Sequence, residues 1–454
     1  MHHLLRGAAL LALASQSLAA QAPADRASLV RKLDSIAESP LVEKRTTGIV
    51  AAVVRGTDTL LMKGYGKADV EWNVAMPADA VFEIGSITKQ FTAAAILQLR
   101  DAGKLSLDDE ITKWIPDFPA THRITLRRML DHTSGIKGLT ELPEFGVMVR
   151  SLWSRDSALA LIKRQPPHFA PGEAAIYNNS GFWLLGIVVE KASGMSYEDY
   201  VEKNMFAPLG MTRSSYCNSD AVVDKRAHGY QVQGAMMRRA PMNIHRWPFA
   251  AGSLCSTAGD LVIWMKALHG GKVVSKQSYA EMTSPSKLND GTPLNYGMGI
   301  GVGRDPGGRR FIGHGGAIAG FVAEATWYPD ADLYVVYMVN SNGNVDPGSF
   351  VGELSAEILP LKMPAFAAFT GDATPLVGKY KGPWRGPDMT IDVTQTPQGI
   401  AVSNNGGPAR QLSWVEGNTF RLGGTLITFR RTGSGPATEL RWAGGSAHYV
   451  LKRQ

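Results

Sequence analysis

Apolar residues in this chain follow three spacings, and each predicts a different kind of element. Between Gln90 and Ala102 most positions are apolar (Phe91, Ala93, Ala94, Ala95, Ile96, Leu97, Leu99) up to a stop at Gly103, the pattern of a helix buried on all sides. Leu29, Leu33 and Ile36 share one face and predict an amphipathic helix around 27–36. Strand-like runs occupy 48–66, joined at Gly56-Thr57-Asp58, and then 310–315, 321–328 and 333–340, the last two joined by Pro329-Asp330-Ala331-Asp332. A helix near 349–359 follows. Strands therefore come from both ends of this segment, with a helical, loop-rich stretch from Ser86 to the region of Leu268 between them. The predicted fold class is α/β, an antiparallel sheet flanked by helices with an inserted, mostly helical subdomain.

After 363–375, a linker carrying Pro364 and Pro375, the pattern changes to short strand-like pieces separated by Gly-Pro, Asn-Asn-Gly-Gly and Gly-Ser-Gly-Pro turns. Residues 376–454 are predicted to form a small antiparallel β-barrel. The length of 454 residues suits this division, because a single core seldom grows beyond about 300 residues. At the N-terminus, Arg6, the apolar run Ala8 to Ala14 and Ser17-Leu18-Ala19 have the order of a secretory signal, so 1–19 is expected to be a signal peptide and the mature protein periplasmic or secreted. No later apolar stretch has the roughly 18 residues of a membrane span.

Export changes how the two cysteines read. In an oxidising compartment Cys217 and Cys255 are expected to pair, two buried thiols being the other reading. The net charge is +7, and residues 376–454 hold ten Lys or Arg against four Asp or Glu. That surplus suits either a solvated basic face or an anionic polymer of the cell envelope. No nucleic-acid motif accompanies it. The ten histidines include no H-x-H or H-E-x-x-H pair and the cysteines no C-x-x-C, so neither a metal nor another cofactor is expected.

Candidate chemistry begins at Ser86-Ile87-Thr88-Lys89. A hydroxyl and an amine three residues apart on a helix stand on one face, so the lysine can take the serine's proton, and burial of the helix favours the neutral amine that a base requires. Tyr177-Asn178-Asn179 precedes a helix expected over 182–192; if the backbone is extended, Tyr177 and Asn179 point the same way, Tyr177 as a phenolate base with its pKa lowered by cations and Asn179 as a substrate contact. His314-Gly315-Gly316-Ala317 ends a strand, where glycines let a substrate approach and the N–H of Ala317, with that of Ser86, forms an oxyanion hole. Gly316 belongs to the same substrate-binding edge.

In the order S-x-x-K, Y-x-N, H-x-G, these elements resemble the active site of the serine β-lactamase and penicillin-binding-protein superfamily, and more closely its class C-like branch with D,D-carboxypeptidases, D-aminopeptidases and esterases. Leu130-Asp131-His132-Thr133-Ser134-Gly135, Pro171-Gly172, Gly210-Met211-Thr212, Ala251-Gly252-Ser253-Leu254 and Gly313-His314-Gly315-Gly316 extend the resemblance over roughly 25–360, within a hydrolase domain placed at 20–362. It implies an acylated Ser86, proton transfer shared by Lys89 and Tyr177, and Asn179 in contact with substrate and Lys89, acting on a small-molecule or short-peptide substrate. Asp131 and His132 are expected to be loop scaffolding. Where β-lactamases of this branch usually have lysine, this chain has His314, largely neutral at pH 7 with an unperturbed pKa of ~6.5. The expected substrates are accordingly D-amino-acid peptides, amides or esters, with β-lactam hydrolysis weak or absent. A sensor that acylates without turnover and a true class C-like β-lactamase are the alternatives. The C-terminal region, through Val377-Gly378-Lys379-Tyr380, resembles the lipocalin-like domain appended to some peptidases of this group.

Overall fold

The computed structural model describes residues 23–148, 151, 154–305, 307–361 and 368–454. The expected signal peptide and residues 363–367 of the expected linker lie outside them. Seven strands form the main sheet: β1 (Gly48–Arg55), β2 (Asp58–Asp69), β3 (Val74–Ala75), β4 (Gly301–Arg304), β5 (Arg310–Ile318), β6 (Phe321–Tyr328) and β7 (Leu333–Val339). Their order is β3-β2-β1-β7-β6-β5-β4, antiparallel throughout. The pairing of β1 with β7 joins the two ends of the segment, as the strand pattern predicts.

β1 and β7 lie in the middle of the sheet and are buried on both faces, so their sequences are continuous apolar runs. Alternate residues serve different cores. Ile49, Ala51 and Val53 pack with Leu29 and Leu33 of helix α1 (Pro23–Val42) and with Phe350 and Leu354 of the helix Pro347–Ala356. Val50, Ala52 and Val54 face the inserted region, where α2 (Thr88–Asp101), α3 (Asn179–Ser193) and α4 (Ala258–His269) share one core with them. α2 is buried along almost its whole length. It begins two residues before the predicted Gln90, because a 3-10 turn at Gly85–Ile87 runs directly into it.

Nine antiparallel strands between Gly378 and Arg453 form the C-terminal sheet, against the eight or so expected. Its edge strands, Arg410–Gln411 and Ser413–Glu416, follow one another in sequence, so the sheet curls into a nearly closed barrel. This barrel takes in part of the first domain: Ala174 and Ile176 pack in its core, and Ala175 exchanges backbone hydrogen bonds of 3.0 and 2.7 Å with His448. No helix among the described residues is long and apolar enough to cross a membrane.

Candidate active site

Ser86 stands on the 3-10 turn at the head of α2, with Gly85 at φ 50° making the sharp entry from strand Phe82–Glu83. That short strand pairs with Leu254–Ser256, which also pairs with Ser215–Tyr216, and a disulfide between Cys217 and Cys255 ties the group together. One turn on, Lys89 is fully buried. Its Nζ lies 3.1 Å from Ser86 Oγ, 2.7 Å from Asn179 Oδ1 and 2.8 Å from the Ala251 carbonyl. The last two partners are acceptors only, so they take both N–H groups of a neutral amine and leave its lone pair for the Ser86 hydroxyl. Burial holds the Lys89 pKa well below the ordinary lysine value, and the Arg385 cation pushes it the same way.

The backbone at Asn178 is extended (φ −135°, ψ 117°), which sends Tyr177 and Asn179 to one side, while the Asn178 side chain caps α3 by accepting from Gly181 N at 2.7 Å. Asn179 Nδ2 donates to Thr140 Oγ1 at 3.1 Å, fixing which of its atoms faces Lys89. The Tyr177 ring is half-buried but its hydroxyl is enclosed and lacks a hydrogen-bond partner, although Ser86 lies close enough to favour the phenolate. Burial outweighs both Ser86 and Arg385 and raises the Tyr177 pKa above that of a free tyrosine. The phenolate expected from sequence is thus disfavoured in the resting site, where burial raises the Tyr177 pKa and lowers that of Lys89.

His132 and Asp131 support this arrangement. His132 Nδ1 accepts from Asn178 N at 3.1 Å, and its ring stacks obliquely on Tyr177 and Tyr296 at 4.4 and 4.7 Å between centroids. Asp131 accepts from the backbone and hydroxyl of Thr133, and its burial raises its pKa to about 6. Both act on the loop, as expected.

β5 passes directly over the Ser86 turn. A Cβ on Gly85 would stand 2.9 Å from Ala317 N, and one on Gly316 would overlap the Ile84 carbonyl oxygen. The backbone of Gly316 and Ala317 is thereby brought against the Ser86 turn. Gly316→Ala is expected to push β5 off this turn and lower kcat by roughly 10²–10³, the cost of losing one oxyanion donor, in a protein whose circular dichroism remains that of the wild type. His314, which lies in the middle of β5 rather than at a strand end as expected, because the strand continues to Ile318, is buried, with Nδ1 2.5 Å from the Gly315 carbonyl and Nε2 2.8 Å from the Tyr296 hydroxyl. Burial, then the nearby Lys89, lowers its pKa to about 3. Nδ1–H donates, Nε2 accepts, and no charge is left for a substrate.

A cleft of about 400 Å³ opens beside Ser86. Its walls include Phe145, Trp183, Ile244, Trp247 and Ile318, two of them from the loop 243–249, which Asn243 anchors by donating to Glu83 at 2.6 Å. Sequence patterns did not place these walls. Nor did they place Arg385, which reaches the cleft from the C-terminal barrel and lies 5.2 Å above the Tyr177 ring. Its only legible signal was that it sits in a turn between two short strands. Apart from the site, Asp69, Glu71 and His228 come close enough for a metal among the described residues, but Arg239 already bonds His228 at 2.9 Å and reaches Glu71 at 3.9 Å.

A buried lysine turned on a serine beneath the edge of an antiparallel sheet defines a serine hydrolase of the β-lactamase type. The chain belongs to the Beta-lactamase family, whose model matches residues 27–358. It is 27% identical over 326 residues to penicillin-binding protein 4* of Bacillus subtilis (67% of this chain, 71% of that one). It is also 27% identical over 340 residues to a D-aminopeptidase of Brucella anthropi (73% of this chain, 64% of that one). The octameric penicillin-binding protein homologue of Pyrococcus abyssi has the same fold, with a TM-score of 0.64 at 24% identity over 93% of this chain and 100% of that one.

Proposed function

We propose that the protein is an exported serine hydrolase that cleaves amide, peptide or ester bonds of D-amino-acid type through an acyl-enzyme at Ser86, with little β-lactam turnover. The observation that carries this is the set of three contacts of Lys89 Nζ, to Ser86 Oγ, Asn179 Oδ1 and the Ala251 carbonyl, which let the amine, once neutral, turn its lone pair to the Ser86 hydroxyl. Ser86 Oγ attacks the carbonyl carbon as Lys89 takes its proton, and the N–H groups of Ser86 and Ala317 hold the oxyanion. Tyr177 gives its proton to the leaving nitrogen or oxygen as the scissile bond breaks. The resulting phenolate, now between the protonated Lys89 and Arg385, takes a proton from the attacking water. Lys89 returns its proton to Ser86 Oγ as the ester opens.

Similarity to a D-aminopeptidase and a penicillin-binding protein supports the substrate class, and the apolar cleft walls favour an apolar side chain on the acyl group. The uncharged His314 supports weak β-lactam hydrolysis. The order of residues at 1–19 and the disulfide support export. Activated esters, D-amino-acid amides and nitrocefin, each followed with intact-mass measurement, test the reading: turnover of esters and amides with a transient adduct on Ser86 is expected. A persistent adduct without turnover would make the protein a sensor, and nitrocefin hydrolysis as fast as that of the esters would make it a β-lactamase.

A further inference from the structure

A single apolar side chain on a surface is ordinary; a group of large ones is not. Nine are exposed among the described residues, and five of these, Trp72, Val74, Met236, Met237 and Met242, belong to one place. Trp72, 81% exposed, lies in the turn between β2 and β3, and Val74 begins β3. Met236 and Met237 open the second strand of a hairpin, Tyr230–Gln233 paired with Met236–Arg239, and Met242, 72% exposed, follows it. The two hairpins touch: Val70 N donates to the Tyr230 hydroxyl at 2.8 Å, and Arg239 reaches Glu71 at 3.9 Å.

The second hairpin has an uncharged tip and a basic base. From Gln233 to Met237 every residue is exposed and none is charged, and Arg238 and Arg239 follow, both exposed. Arg239 contacts His228 and Glu71, whereas the Arg238 side chain makes no hydrogen bond or ion pair among the described residues. The carboxylates nearby are engaged as well, Asp69 by His228 at 2.9 Å and Glu71 by the Tyr230 hydroxyl. The charge left over is positive.

That charge decides between two occupants of the surface. Met236–Arg239 is the outer strand of its small sheet, with backbone groups open to pairing. A second copy pairing there antiparallel would bring four arginines onto two four-residue strands that hold no carboxylate, and like charges across a strand pair oppose each other. An anionic surface meets no such cost.

We propose that the two hairpins dock the protein on an anionic lipid bilayer, with Trp72, Met236 and Met237 entering the interface and Arg238 and Arg239 at the headgroups. Apolar side chains and cations then act together, the indole at the depth where tryptophan is favoured. Gln231, the strand partner of Arg238, lines the catalytic cleft, as do Pro241 and Met242. Docking therefore holds the mouth of the cleft at the bilayer face. The proposal concerns where the protein works and is independent of the hydrolase reading.

The test is co-sedimentation of residues 20–454, which lack the expected signal and its apolar run, with vesicles of phosphatidylcholine alone or with about 30% phosphatidylglycerol. Binding is expected to be roughly tenfold or more tighter on the anionic vesicles and to weaken as salt rises. Met236→Ser combined with Met237→Ser is expected to lower the partition coefficient roughly tenfold, and Arg238→Ala about fivefold, with unchanged circular dichroism. Brominated lipid is expected to quench the fluorescence of wild type more than that of Trp72→Phe. Absence of binding to the anionic vesicles, equal quenching of the two proteins, or binding that the methionine pair does not affect would overturn the proposal. Self-association of wild type that the methionine pair abolishes would overturn it too, by giving the surface to a second copy. Failure of an activated ester to label Ser86 would overturn the hydrolase reading and leave vesicle binding as it is, so the two failures are distinguishable.

Discussion

Ser86→Ala is expected to lower kcat by at least 10⁴ on every substrate and to abolish the mass adduct, and Lys89→Met to come within about tenfold of the same loss. Nucleophile and base act as one unit, so removing either removes most of what the pair contributes, and the double variant adds little to the single ones. The same pair sets the pH profile. Lys89 works as the neutral amine, so kcat/KM falls on the acid side as Lys89 gains a proton, at a pH well below the usual lysine range because burial lowers its pKa. His314, with a pKa of about 3, contributes no limb between pH 5 and 8. Rates from pH 4 to 10 check this; an acid limb centred near 10 would mean that Lys89 is charged at rest and that the base lies elsewhere.

Acid is expected to destabilise the fold steeply below pH 6.5. Burial is the leading cause of depressed pKa values at His132, His269, His314 and His448: well below the ordinary value for His132, to about 3 for His269 and His314, and to about 4 for His448. Above ~6.5 these histidines are neutral folded or unfolded and contribute nothing to the pH dependence. Below it the unfolded chain binds protons that the native state refuses, so stability falls with pH until the folded values are reached. Two buried carboxyls oppose them. Asp131, raised to about 6, and Glu324, raised to about 7, are protonated in the native state before the unfolded one, which gains stability as pH falls towards their unfolded values near 4. His168 is lowered with the histidines and Glu141 and Glu198 are raised with the carboxyls, so the two effects partly cancel and the slope reports the surplus of the histidines. Calorimetry from pH 7 to 4.5 measures this slope. His269→Phe is expected to flatten it and Glu324→Gln to steepen it; a slope near zero in wild type would show that these histidines titrate normally in the folded protein.

Much of the site was legible because its parts are local. Ser86 and Lys89 face one way through helical periodicity, and Tyr177 and Asn179 through the alternation of extended backbone; neither needs the rest of the molecule. Glycine at 316 likewise marks a close approach wherever it falls. The apolar runs of β1 and β7 announced central strands, since only a sheet covered on both faces buries every residue in a row.

What the chain alone determined was therefore the residue types, their local directions and the family. Their protonation states came from folding: Lys89, Tyr177 and His314 depart from their free pKa values because α2, α3 and β5 exclude water around them, and exclusion is a property of packing. The expected phenolate went the other way for that reason. Arg385 was illegible for a second one. It reaches Tyr177 from another domain, through a turn whose position depends on Glu141, Trp384 and the seating of Ala174 and Ile176 in the barrel, and no spacing along the chain encodes a contact of that range. Spacing along the chain set out the acyl-transfer chemistry; the cleft walls and the charge above them were decided by tertiary packing.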